Sequence, residues 1–154
     1  MKLHRILPIL LLFPTATLPC LSINISQQKQ EISQQDKKVF KGSFICKDAR
    51  LSFTLDAYEE SIDIPGLSFL GKTHGYLSGS GVYGIWMITS CKIDGKELRI
   101  RLSNDTGSDS QTIVFKQIND STFSYKAIGG NNIKKAQGRK LVKIDENFQF
   151  NRVK

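Results

Sequence analysis

From Val39 onward, apolar residues recur at every second position in short runs, and no stretch carries an apolar stripe at the 3.6-residue period of a helix. Leu51, Phe53 and Leu55 alternate with Ser52 and Thr54. Leu98, Ile100 and Leu102 alternate with Glu97, Arg99 and Arg101. Such runs suit strands with one face buried, since successive side chains point to opposite faces. Turn residues separate them: Lys47-Asp48, Pro65-Gly66, Asp94-Gly95, Asn119-Asp120 and Gly129 to Asn132. The pattern predicts an all-β fold, a small antiparallel meander closing into a β-barrel of about eight strands, with a two-sheet sandwich as the alternative.

The expected strands follow in order. Phe40 to Cys46 is the first and Leu51 to Leu55 the second. Ser61 to Ile64 is a short third strand, and Leu67 to Leu70 a further brief extended piece. Gly75 to Asp94 then forms a central hairpin about Ser78-Gly79-Ser80-Gly81. Its outgoing strand is apolar on both alternations, with Tyr83, Ile85, Met87 and Ile93 on one and Val82, Trp86 and Ile88 on the other. Two apolar faces point to a strand covered on both sides. Leu98 to Leu102, Thr112 to Ile118, Ser121 to Ile128 and Arg139 to Ile144 complete the set, and Phe148 and Phe150 pin the tail to the core.

The chain has 154 residues, room for one domain, expected over residues 39–154. Residues 1–22 have the form of a secretory signal: Lys2 and Arg5 precede an apolar run from Ile6 to Leu18 that is broken by Pro8 and Pro14. That run is too short for a spanning helix. Cleavage after Ser22 is expected, with lipid anchoring at Cys20 the alternative. Residues 23–38, rich in Gln and Ser, read as a polar spacer. The protein is therefore expected to be exported, to the periplasm or outside the cell.

Removal of the signal leaves Cys46 and Cys91, and two cysteines in an exported domain predict a disulfide. Closing so long a loop would contribute on the order of 4 kcal/mol in the chain-entropy model. The full chain carries a net charge of +8. Its basic excess is concentrated at the C-terminal end, where Lys134, Lys135, Arg139, Lys140, Lys143, Arg152 and Lys154 face only Asp145 and Glu146. Lys134, Lys135, Arg139 and Lys140 are thus the candidate residues for an anionic surface or partner. The competing reading is a solvated basic edge that blocks unwanted strand pairing.

Catalytic and metal-binding patterns are weak. His74 is the one histidine left after signal removal and has no Cys or carboxylate at ligand spacing. Glu59 and Glu60 are adjacent and in a strand would face opposite ways. Asp105 and Asp109 lie in a polar turn that lacks the distal Glu of a calcium loop. Ser78 to Gly81 feeds a strand, whereas phosphate loops of that composition open a helix. No cofactor, no metal and no catalytic set are expected, and nucleic acid is not an expected partner. Asn24, Asn104 and Asn119 each begin an Asn-x-Ser/Thr triplet.

Phe44-Ile45-Cys46, the Leu-rich alternation to Leu55, and Ser78-Gly79-Ser80-Gly81-Val82-Tyr83 followed by Trp86 resemble the bacterial C-type lysozyme inhibitors. Those are small periplasmic or lipid-anchored β-barrels. The resemblance implies an inhibitory turn carried by Ser80 and Tyr83, with Trp86 structural. One residue separates Gly81 from Tyr83, and the family's basic residue in that gap is missing. The candidate binding residues are therefore Ser78, Ser80 and Tyr83. The expected function is that of a non-enzymatic binding protein for a macromolecular partner, of inhibitor or toxin-neutralising type. Two alternatives stand beside it. One is a lipocalin-like carrier holding a small apolar ligand near Trp86, Phe53, Phe115, Phe123 and Tyr125. The other is attachment to an anionic envelope surface through the basic C-terminal segment.

Overall fold

The computed structural model describes residues 38–153. The expected signal, the Cys20 anchor, the spacer up to residue 37 and the Asn24 triplet lie outside the described residues. Ten strands follow in order: β1 (Lys41–Cys46), β2 (Leu51–Asp56), β3 (Gly75–Gly79), β4 (Trp86–Asp94), β5 (Glu97–Asn104), β6 (Ser110–Gln117), β7 (Thr122–Ile128), β8 (Lys134–Gln137), β9 (Lys140–Lys143) and β10 (Asn147–Arg152). Eight of them form a closed antiparallel barrel, running β1 to β7 in sequence order and closed by β10 between β7 and β1. β8 and β9 form a separate two-stranded ribbon.

The interior is built from the inward alternation of every strand. Phe44, Phe53, Leu77, Trp86, Leu98, Ile100, Leu102, Ile113, Phe115, Phe123, Tyr125 and Phe150 are all buried. Phe115 lies at the centre of the aromatic group. Its ring stacks on Phe123 at 5.2 Å and meets Phe44 at 5.2 Å, Phe53 at 5.3 Å and Phe150 at 5.8 Å edge-on. The edge-to-face geometry aligns ring quadrupoles favourably. Rings that a carrier would set around a ligand are here set against one another.

The two apolar alternations of the outgoing hairpin strand have a local cause. The β4–β5 register runs Trp86↔Asn104 to Ile88↔Leu102, then slips by one residue to Ser90↔Arg101 and Cys91↔Ile100. Thr89 is the extra residue of a β-bulge, which moves the inward positions from 86 and 88 to 91 and 93. Before the bulge Trp86 and Ile88 face the core. After it Cys91 and Ile93 share the face of Ile100 and Leu98.

Three expected elements differ. Ser61 to Ile64 makes only an isolated bridge, Ile62↔Thr73, because Asp56 curls the chain back immediately after β2 and Pro65 has no N–H to extend a ladder. Leu67 to Leu70 contains a 3₁₀ turn at Ser68–Leu70 rather than an extended piece. The tail residues Phe148 and Phe150 belong to a full strand, β10, that closes the barrel.

The expected disulfide is absent. Cys46 and Cys91 are both free thiols. Cys46 ends β1 opposite Leu51, at the end of the barrel that holds the β1–β2 turn. Cys91 Sγ donates to the Ala57 carbonyl at 3.5 Å, just past the end of β2 that pairs with Lys41. The length of β1 lies between those two places, about 16 Å at the usual strand rise. A bridge needs Cα atoms within roughly 7 Å.

Gly75 shows why one glycine is required. It has φ of +136°, and a Cβ there would lie 2.1 Å from the Thr54 carbonyl oxygen. β3 meets β2 at that point only because the side chain is missing.

Candidate contact face

The barrel has two differently built ends. The first holds the β2–β3 loop, the β4–β5 hairpin and the C-terminus of β10. Arg152 closes it: the guanidinium lies over the rings of Phe44 and Phe123 at 5.1 and 5.4 Å. Its Nη1 donates to the Lys41 carbonyl at 3.0 Å and its Nη2 to that of Val39. A planar cation both stacks on the aromatic core and ties the entry of β1 to β10.

Beside it Asp56 is buried, with its side chain fully shielded from solvent. Oδ1 accepts from the N–H groups of Tyr58 and Glu59 at 3.1 and 3.2 Å. Oδ2 accepts from Ser61 Oγ at 2.8 Å and pairs with Lys41 Nζ at 2.7 Å. Burial alone would push this carboxyl up. The hydrogen bonds from Lys41, Ser61 and the Tyr58 N–H outweigh it and hold the carboxyl down at about 2. His74 is half-buried and donates from Nδ1 to the Asp56 carbonyl at 3.0 Å, and its Nε2 is 3.9 Å from Glu60. Burial pushes the Cys91 thiol up, and the charges of Asp56 and Glu60 add to the effect. These groups hold one another. Among the described residues no group of three His, Cys, Asp or Glu is placed to hold a metal ion.

The second end holds the β1–β2 turn, the β3–β4 connection and the ribbon. Here β3 and β4 pair at only two positions, Tyr76↔Met87 and Leu77↔Trp86, so residues 80–85 form a longer connection than a tight Ser-Gly turn. Trp86, buried in the barrel rim, donates its indole N–H to the Tyr83 carbonyl at 3.3 Å. That bond fixes the backbone of Tyr83 while its ring stays 58% exposed. Ser80 is exposed, and its N–H donates to the Arg50 carbonyl at 3.1 Å. Ser78 stands apart from them, half-buried on the outer wall opposite Ser52.

Gly81 to Tyr83 is claimed by β8 instead of β4. The Ala136 N–H donates to the Gly81 carbonyl at 2.7 Å and the Tyr83 N–H to the Lys134 carbonyl at 2.9 Å, around the bridge Val82↔Lys135. Two candidate groups that are more than 50 residues apart in the chain thus form one three-stranded patch. Lys135 spends its ammonium on the Ala49 carbonyl at 3.2 Å, which ties the ribbon to the β1–β2 turn. Lys134 is half-buried, whereas Arg139, Lys140 and Lys143 are exposed. None of these four forms an ion pair among the described residues.

Buried amides hold the ribbon's base. Gln111 Nε2 donates to the carbonyls of Thr112, Ile128 and Gly130, and its Oε1 accepts from the Asn132 N–H at 2.7 Å. Asn131 Nδ2 donates to Tyr125 Oη and to the Asp145 carbonyl, and its Oδ1 accepts from the Ile133 N–H. Ile133 is fully buried. Asn104 is also buried, donating from Nδ2 to Ser108 and accepting from the Asp109 N–H, so its amide is committed to the 104–109 turn. Asn119 is exposed and caps its own turn by accepting from the N–H groups of Ser121 and Thr122. A groove of about 340 Å³ lies between ribbon and barrel, lined by Ala49, Lys135, Val142, Ile144, Asp145 and Phe148 among others.

The sequence pattern did not single out Asp56, Gln111, Asn131 or β8, and it grouped Arg152 with the basic C-terminal excess, whereas the structure lays it on the core rings at the opposite end. The signal for β8 was present: Lys134 to Gln137 and Lys140 to Lys143 are separated by Gly138-Arg139, a Gly-first two-residue hairpin loop, and Gly138 has φ of +61°.

No protein-family model and no curated protein matches this chain. Among solved structures, the crystal structure of Treponema pallidum Tp0751 (pallilysin) aligns with a TM-score of 0.49 and 13% identity, over 84% of this chain and 97% of that one.

Proposed function

We propose that this chain is a non-catalytic binding protein, exported as its N-terminus suggests, which holds an acidic protein partner on the ribbon end of the barrel. The observation that carries the reading is the main-chain pairing of Gly81–Tyr83 with β8. It sets an exposed, backbone-fixed tyrosine beside a group of cations free of carboxylate partners among the described residues. Tyr and Arg are the side chains most often found at the centre of protein interfaces. Unpaired cations on a rigid ribbon steer an acidic partner toward that face.

The resemblance to the lysozyme inhibitors puts Ser80 and Tyr83 in a contact turn, and an inhibitor of an acidic enzyme or toxin falls within this reading. C-type lysozymes are typically basic and would be repelled by the ribbon. The test is affinity capture with the full chain as bait from envelope and host fractions. Recovery of an acidic protein, reduced at least about tenfold by Tyr83→Ala and by the combined Lys134→Ala, Arg139→Ala and Lys140→Ala changes, supports the reading. Capture unaltered by both variants, or no captured protein, overturns it. Binding to anionic vesicles that both variants leave intact likewise counts against this face.

A further inference from the structure

We infer that the outer edge of β9 accepts an extended acidic segment of the partner as an added antiparallel or parallel strand. This rests on the binding reading above and names the chemistry of its partner. Lys134 and Ala136 use their main-chain groups on the Gly81–Tyr83 segment. Residues 133, 135 and 137 therefore face β9, as the Ile144 N–H bond to the Ile133 carbonyl at 2.9 Å shows. With the register Lys134↔Lys143, Lys135↔Val142, Ala136↔Leu141 and Gln137↔Lys140, the main-chain groups of Val142 and Lys140 turn toward β8. Those of Leu141 and Lys143 turn outward, and no described strand pairs with them.

Every residue of β9 is exposed. Lysines on an edge guard against unplanned pairing, but a purely protective edge has no use for Leu141 and Val142, exposed at 48% and 44%. Lys140 and Val142 stand on one face of β9, Leu141 and Lys143 on the other. A partner strand with acidic and apolar residues in successive pairs, acidic-acidic-apolar-apolar, carries both kinds on each of its faces and thus matches the cation and the apolar contact that β9 presents there. Main-chain bonds to the Leu141 and Lys143 peptide groups supply the register. The cations at the edge, Lys134, Arg139, Lys140 and Lys143, outnumber the carboxylates of Asp48 and Asp145 that line the adjoining groove, and this excess selects an acidic segment over a neutral one.

The probe is a ten-residue synthetic peptide built on the repeat Asp-Asp-Val-Val, with a second copy N-methylated at every other peptide bond. Amide hydrogen exchange of the full chain is followed with each. The inference expects the unmodified peptide to slow exchange at Leu141 and Lys143 by at least about tenfold, and N-methylation on the pairing side to weaken binding by about tenfold or more. Leu141→Pro removes one outward N–H and spares the β8 pairing, and it should weaken the peptide about fivefold with exchange in β5 and β6 unchanged. Equal affinity for both peptides, or binding without protection at Leu141 and Lys143, overturns strand addition. So does retention of long anionic polymers, such as polyphosphate, by a chain that ignores the peptide. If a captured partner stays bound to Leu141→Pro but is lost with Tyr83→Ala, the binding reading stands and the edge inference falls. If no variant changes capture, the binding reading itself falls.

Discussion

Two sets of cations at opposite ends of this barrel are used in opposite ways. At one end Arg152 is laid across Phe44 and Phe123, with its guanidinium committed to the carbonyls of Val39 and Lys41, and Lys41 is paired with buried Asp56. At the other end Arg139, Lys140 and Lys143 project from a ribbon and meet no carboxylate at ion-pair distance among the described residues. A cation held inside the fold by ring contacts and hydrogen bonds contributes to stability, and Arg152 does so with two of its three nitrogens bonded and a buried Nε that meets no acceptor among the described residues. A cation left in water contributes little to stability and keeps its bonding capacity, as Arg139 and Lys140 do, while Lys143 donates to Asn132 Oδ1 at 3.4 Å. The contrast separates the end that Arg152 and Asp56 tie together from the end whose ribbon cations stay in solvent.

The strongest way to break that contrast is to exchange the consequences of mutation at the two ends. Arg152→Ala removes two hydrogen bonds to backbone carbonyls, the stack over two core rings and the aliphatic cover of the barrel end. A loss of about 3 kcal/mol is expected, or about 10 °C in Tm. Arg139→Ala combined with Lys140→Ala should change stability by no more than about 0.5 kcal/mol. Thermal unfolding of both proteins decides it. A similar Tm for the two would show that Arg152 does not close the barrel.

Much of this difference was hidden in the sequence, and the reasons are physical. Period-two alternation is a local signal, so the barrel class and most strand positions could be read directly. Tyr83 and Ile85 precede β4 and the bulge at Thr89 changed its phase in mid-strand, so the sequence looked apolar on both faces although Trp86 and Ile88 are the only buried side chains of that strand. The pairing of Gly81–Tyr83 with β8 joins segments more than 50 residues apart, and no composition pattern reports such a contact. Asp56 sits one residue past an apolar run, where a carboxylate normally marks a solvated turn. Only the topology, by bringing Lys41 opposite it, makes it a buried anchor. Tyr83, Ser80, Arg139 and Lys140 are exposed, whereas Lys134 and Lys135 are half-buried because β8 pairs with Gly81–Tyr83, a contact no local pattern reports.

Low pH acts on the Arg152 end through Asp56. The Asp56 carboxyl is held at about 2 in the folded protein, below its ordinary value of 3.8. Because the folded-state value is the lower one, the unfolded chain binds the proton first as pH falls. The stabilisation is complete above about pH 4 and is lost as pH falls through about 2, with a total on the order of 2 kcal/mol. Denaturant midpoints measured across this interval should fall for the native protein. The Asp56→Asn variant should start less stable and show a flatter profile there. An unchanged slope in Asp56→Asn would move the acid sensitivity to other carboxylates and remove Asp56 as the anchor of that end.

The smallest expected effect is the absence of one. A Cys46–Cys91 bridge would contribute about 4 kcal/mol through loop closure and raise Tm by more than about 10 °C. Such a bridge would also link the two ends of the barrel covalently and couple the contact face to the closed end. The geometry does not permit it, because Cys46 lies at the ribbon end and Cys91 at the Arg152 end, against the Ala57 carbonyl. Tm measured with and without a thiol reductant should therefore agree within about 1 °C. Denatured protein should titrate two free thiols among residues 38–153. A reductant-dependent drop of several degrees would mean that the oxidised chain draws these ends together, and the independence of the two ends would have to be abandoned.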